Sequence, residues 1–137
     1  MQVVIIEDEE FAARRLERMI NEIDPDMQIV AKLESVSDSI KWLKNNQQPD
    51  LIFMDIHLED NSSFAIFNSV KIHCPVVFTT ATDEKSTIVF KQNKLDYLLK
   101  PICADELKKI IEKYCNLPFG ERKILDAALF ADLVKKP

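Results

Sequence analysis

Leu51-Ile52-Phe53-Met54-Asp55 is an unbroken apolar run closed by a carboxylate. A strand without polar alternation is covered on both faces, the situation of a central strand in a parallel sheet packed between helices. Outward from it the same pattern returns. Val3-Val4-Ile5-Ile6 ends in Glu7-Asp8-Glu9-Glu10, Val76-Val77-Phe78 ends in Thr79-Thr80-Ala81, and Leu95-Asp96-Tyr97-Leu98-Leu99 ends in Lys100-Pro101. In an open parallel sheet, ligands bind in the crevice at the carboxyl ends of the strands. Acids, hydroxyls and a cation that are distant in sequence therefore converge there.

Between these runs lie segments of helical period, and the alternation is that of an α/β protein. A first strand near residues 2–6 leads into a helix with Phe11, Ala12, Leu16, Met19, Ile20 and Ile23 on its apolar side, stopped by Asp24-Pro25-Asp26. Residues 28–33 read as a second strand, followed by a helix capped at Ser37 that carries Ile40 and Leu43 and breaks over 45–49. Beyond Asp55, a polar loop through Asn61-Ser62-Ser63 precedes a helix bearing Phe64, Ile66, Phe67 and Val70, which ends before Pro75. A fourth strand over 76–79 leads to a thinly apolar helix near 83–92 with Ile88 and Val89, which predicts weak anchoring. A fifth strand around 97–99 passes through Pro101 into a helix with Leu107, Ile110, Ile111 and Tyr114 at helical spacing. Pro118-Phe119-Gly120 marks the expected boundary of a domain over 1–117. The segment 118–137 reads as a linker or further amphipathic helix, through Ile124, Leu125, Ala128, Leu129 and Val134.

The 137 residues suit one domain, and an apolar fraction of 47% supplies one ordinary core. A net charge of −5 disfavours nonspecific nucleic-acid binding, so contact with DNA calls for another module. The three cysteines, Cys74, Cys103 and Cys115, have neither disulfide-framework nor zinc spacing and read as reduced thiols. The N-terminal residues enter a strand pattern at once, and no apolar run nears the ~18 residues of a membrane span. A cytoplasmic location is the expectation.

Glu7-Asp8, Asp55, Thr80-Ala81 and Lys100-Pro101 together resemble the complete site of a response-regulator receiver domain, over about residues 1–117. Within that family, Ile56-His57-Leu58, the stretch Phe78-Thr79-Thr80-Ala81-Thr82-Asp83-Glu84 and the run through Lys100-Pro101 are most similar to regulators carrying a LytTR-type DNA-binding domain. The resemblance implies a doubly wound, flavodoxin-like sheet of five strands in the order 2-1-3-4-5. It also implies phosphoryl transfer from a sensor histidine kinase to Asp55, with dimerisation on activation and a DNA-binding effector beyond this chain. No catalysis is expected except the domain's own phosphorylation and dephosphorylation.

The chemistry asks for the same residue types. A carboxylate can attack phosphorus, and phosphoryl transfer needs chiefly positioning and charge neutralisation. Crowded carboxylates repel one another, and a hard divalent cation with oxygen ligands relieves that repulsion, which suits magnesium or manganese. By resemblance, Asp8 and Asp55 ligate the metal, Glu7 acts through water, and the backbone carbonyl of His57 adds an oxygen. Lys100, the Thr80 hydroxyl and the Ala81 N–H are placed to hold phosphoryl oxygens. The resemblance makes Thr80 and Tyr97 the moving parts of a switch, read out on the face of the 83–92 helix, the fifth strand and the last helix. It also implies a cis Lys100-Pro101 peptide.

Each residue alone has a plainer reading. Asp55 could close a strand, Thr80 could be a strand hydroxyl, Lys100 a surface cation and Tyr97 a packed aromatic. Glu9 and Glu10 read as the acidic start of a helix, and a lone loop histidine such as His57 is usually neither ligand nor phosphoacceptor. Asn61 stands where the family often has glycine, and Glu10 where it often has proline. The resemblance implies that His57 and Thr82, two residues after Asp55 and Thr80, flank the path of attacking water and bear on the lifetime of the phosphate. The alternative function is a phosphorylation-independent interaction module of the same fold. A small-substrate phosphohydrolase lacks its second carboxylate, since His57 occupies that position. A flavodoxin-type electron carrier is disfavoured because no Ser/Thr/Gly-rich phosphate loop follows the first strand, and Glu7-Asp8-Glu9-Glu10 would repel an FMN phosphate.

Overall fold

A computed structural model describes residues 1–58, 60, 63–81 and 96–116. The chain runs β1 (Gln2–Ile6), α1 (Glu10–Ile23), β2 (Gln28–Leu33), α2 (Val36–Asn45), β3 (Leu51–Asp55), α3 (Phe64–Ser69), β4 (Val76–Thr80), β5 (Tyr97–Leu99) and α4 (Ala104–Asn116). The strands form one parallel sheet in the order β2-β1-β3-β4-β5. The helix expected over 83–92, the loop position Asn61, Thr82, the Phe64 side chain and the segment 118–137 lie outside the described residues.

Strand residues alternate between two apolar layers. Val4, Ile6, Ile52, Met54 and Phe78 face Val36 and Leu43 of α2 and Ile66 and Phe67 of α3. Val3, Ile5, Leu51, Phe53, Val77 and Leu98 face Ala13, Leu16 and Ile20 of α1 and Leu107, Ile111 and Tyr114 of α4. Every residue of β3 is buried, which is why its sequence shows no alternation.

Two local expectations are corrected. Phe11 was expected on the apolar side of α1, yet it is 82% exposed, and the buried stripe is Ala13, Leu16 and Ile20. At about 100° per residue, Phe11 stands roughly 200° from Ala13 and points away from the sheet. The cap of α2 is Ser35, not Ser37. The Ser35 side chain accepts a hydrogen bond from the Asp38 N–H at 3.0 Å and its carbonyl accepts one from Ser39 N–H, while Ser37 lies inside the first turn.

At the sheet edge, Val3 pairs with Ile29 but Val4 pairs with Ala31, so Val30 of β2 has no opposite residue in the β1 register. The extra residue is a bulge, and Val30 is exposed there. Cys74 is buried, Cys103 and Cys115 are exposed, and all three are thiols rather than disulfide partners. Among the described residues, no helix is long and apolar enough to cross a membrane.

Candidate phosphoryl-acceptor site

Parallel register assembles the site. Ile6 pairs with Met54, so Glu7 and Asp55 leave adjacent strands at the same level. Asp55 pairs with Thr79, and Thr80 pairs with Leu99, which brings Lys100 beside them. Backbone bonds fix this level: Lys100 N–H donates to the Thr80 carbonyl at 2.8 Å, and Ile56 N–H donates to the Thr79 carbonyl at 3.2 Å.

Glu7, Asp8 and Asp55 each offer a carboxylate oxygen, and these oxygens lie within 4.8 Å of one another. Lys100 Nζ donates to Asp55 Oδ2 at 2.9 Å and to Glu7 Oε1. Glu7 is only 5% exposed. Its other oxygen accepts from Glu9 N–H at 3.2 Å. Burial pushes the Glu7 carboxyl up to about 7, with the Asp8 and Asp55 carboxylates adding to the shift and Lys100 and the Glu9 N–H opposing it. For Lys100, burial works to lower the ammonium. Hydrogen bonds to Asp55 and Glu7, with the attraction of both charges, outweigh burial and hold it above the usual lysine range.

Hard oxygen donors from three side chains, partly buried and mutually repelling, fit a small hard divalent cation. Asp8 is half-buried, so one side of the cluster is open to water. The backbone N–H of His57 donates to Asp55 Oδ1 at 3.2 Å, while His57 as a residue is exposed. Thr80 is buried, and its hydroxyl donates to the Ala81 carbonyl at 2.9 Å. Tyr97 is half-buried and packs against the layer formed with α2 and α3. The Lys100-Pro101 peptide is cis. The structure thus brings Glu7, Asp8, Asp55 and Lys100 into one cluster, with Thr80 and His57 at its margin.

Two supporting residues escaped the sequence reading. Asp60, in the loop after Asp55, accepts hydrogen bonds from Val36 N–H at 2.9 Å and Ser37 N–H at 3.2 Å. Arg15 of α1 donates to the Ile102 carbonyl at 3.3 Å, just beyond the cis peptide. Neither carries a local signal, since both partners come from other elements.

Residues 3–112 match the family model described as response regulator receiver domain. Among curated relatives, the chain is 34% identical over 116 residues to "Sensory transduction protein LytT" of Enterococcus faecalis, covering 82% of this chain and 47% of that protein. It is 35% identical over 121 residues to "Sensory transduction protein LytR" of Streptococcus agalactiae, covering 85% and 49%. The chain therefore spans about half the length of the curated relatives it matches. The crystal structure of the response regulatory domain of protein mrkE from Klebsiella pneumoniae superposes with a TM-score of 0.71 at 29% identity, covering 84% of this chain and 95% of that one. The match over residues 3–112 shows that the chain belongs to the response regulator receiver domain family.

Proposed function

We propose that the chain is a phosphoryl-accepting switch in which Asp55 takes a phosphoryl group from a histidine of a sensor kinase. An oxygen of Asp55 attacks phosphorus, the bond to the donor nitrogen breaks, and an aspartyl phosphate results. The observation that carries this reading is the Lys100 ammonium bonded to both Asp55 and Glu7 inside the carboxylate cluster. An ammonium so placed can follow the charge onto the phosphoryl oxygens.

Asp8, Asp55 and the backbone carbonyl of His57 would hold magnesium or manganese, with Glu7 acting through water. A cation bound there supplies neutralisation of the carboxylates and of the incoming phosphoryl oxygens. Thr80 would exchange its bond to the Ala81 carbonyl for one to a phosphoryl oxygen, joined by the Ala81 N–H. Tyr97 would then move further inward behind Thr80. The changed face around β5 and α4 would favour dimerisation and drive a LytTR-type DNA-binding effector in the rest of the protein. Likeness to the LytT and LytR proteins supports that output, and a cytoplasmic location goes with it. The domain would catalyse only its own phosphorylation and dephosphorylation.

The test is intact mass after incubation with a small phosphodonor, with and without magnesium, for the native chain and Asp55→Asn. The expected result is a magnesium-dependent gain of one phosphoryl group that the variant lacks. No gain in a folded sample that binds magnesium would count against phosphotransfer.

A further inference from the structure

We propose that Asp60 is a positioning residue for this site: it ties the loop that follows Asp55 to the N-terminus of α2 and thereby sets where the His57 carbonyl stands. The inference rests on the function proposed above.

The described residues that follow Asp55 are tied at two places by separate bonds. At the base, the Ile56 carbonyl accepts from Ser63 N–H at 2.8 Å while Ile56 N–H is held by Thr79. His57 follows directly, its N–H on Asp55 Oδ1. Leu58 is buried in the same layer as Val36. Further along, Asp60 Oδ1 takes Val36 N–H and Oδ2 takes Ser37 N–H, so both carboxylate oxygens are engaged and the group is oriented. A carboxylate on the first amides of a helix meets the positive end of its dipole, and such charge-assisted bonds are the stronger kind.

The helix does not depend on Asp60 to begin. Ser35 already caps it, through the Asp38 and Ser39 amides, and Val36 and Leu43 bury it against the sheet. The helix is thus the fixed partner and the loop is the guest. Removing Asp60 should release the loop carrying His57, whereas removing the Ser35 hydroxyl should weaken α2 and leave the loop attached.

Isothermal titration of the full chain with magnesium chloride tests this, comparing native protein with Asp60→Ala, Asp60→Asn and Ser35→Ala, each checked by circular dichroism. Groups that orient metal ligands from outside typically change affinity by about 10- to 100-fold. Asp60→Ala is expected to weaken magnesium binding about tenfold, Asp60→Asn by less, and Ser35→Ala to lower the melting temperature at unchanged affinity. Native-like affinity in Asp60→Ala would overturn the inference. So would an equal loss in Ser35→Ala, which would trace the effect to α2 stability. If Asp60→Ala does not fold, Asp60→Asn decides: native-like affinity in it overturns the inference, and a loss absent from Ser35→Ala supports it. A native chain that takes up no magnesium overturns the proposed metal site and this inference together. Magnesium uptake without phosphorylation would leave the Asp60 comparison intact and reject phosphotransfer alone.

Discussion

Lys100 Nζ sits 2.9 Å from Asp55 Oδ2, although the two residues are 45 positions apart and β4 lies between their strands. The same ammonium also bonds to Glu7 at the end of β1, so one side chain from the edge of the sheet links both acidic strands. Breaking a buried pair leaves uncompensated charge behind, and removing an electrostatic donor from a reacting centre costs about 100-fold or more in rate. Lys100→Met is therefore expected to slow Asp55 phosphorylation by about 100-fold, followed by intact mass against time. A rate within a few-fold of native would remove Lys100 from the chemistry.

Glu7 gives the metal-free protein a signed pH dependence. Its carboxyl goes from an ordinary 4.5 to about 7 in the fold. Below 4.5 both states are protonated and the contribution is complete. Between 4.5 and about 7 the unfolded chain ionises first, so stability falls as pH rises, by at most about 3 kcal/mol. Urea denaturation in the presence of a chelator should show this fall in native protein and a flatter profile in Glu7→Gln.

The thiols should divide by burial. Cys74 is buried and its thiol is pushed up to about 12 by that burial, whereas Cys103 and Cys115 are exposed. Thiolate is the reacting form, so alkylation of native protein near pH 8 should stop at two additions, and denatured protein should take three. Peptide mapping that finds Cys74 labelled in folded protein would contradict this packing.

Asp96, immediately before β5, accepts hydrogen bonds from Lys113 Nζ at 2.9 and 3.2 Å and from the Tyr114 hydroxyl of α4. Its own carbonyl accepts from Phe78 N–H of β4. Because Lys113 is half-exposed, that pair adds little, while the buried Tyr114 hydroxyl loses a partner when Asp96 is truncated. Asp96→Ala should cost about 1–3 kcal/mol in a urea melt. Asp96→Asn, which keeps an acceptor, should cost less.

The sheet and the cluster were legible because their causes are local or repetitive. An all-apolar strand such as β3 announces burial on both faces, and carboxyl-end residues of parallel strands have only one place to meet. Phe11 was misread because helical spacing gives a stripe's period but not its phase, and Ala13 rather than the larger phenylalanine sets that phase. The cap of α2 was misplaced by two residues because Ser35 and Ser37 are equivalent as letters and differ only in which one leaves the helical backbone. Asp60 and Arg15 were invisible because each acts across elements. The Lys100 contact with Glu7 was likewise hidden, since strand order alone does not say how far a long side chain reaches.

The bulge at Val30 bears on how copies of this domain could meet. A sheet grows from protein to protein only where an edge offers a straight, evenly spaced row of amides and carbonyls. On one side β2 is distorted at Val30 and carries Lys32, and on the other β5 is only three residues long. Both borders are poor templates for continued pairing. Open-ended strand-to-strand stacking of copies, which has no natural stop, is thereby disfavoured.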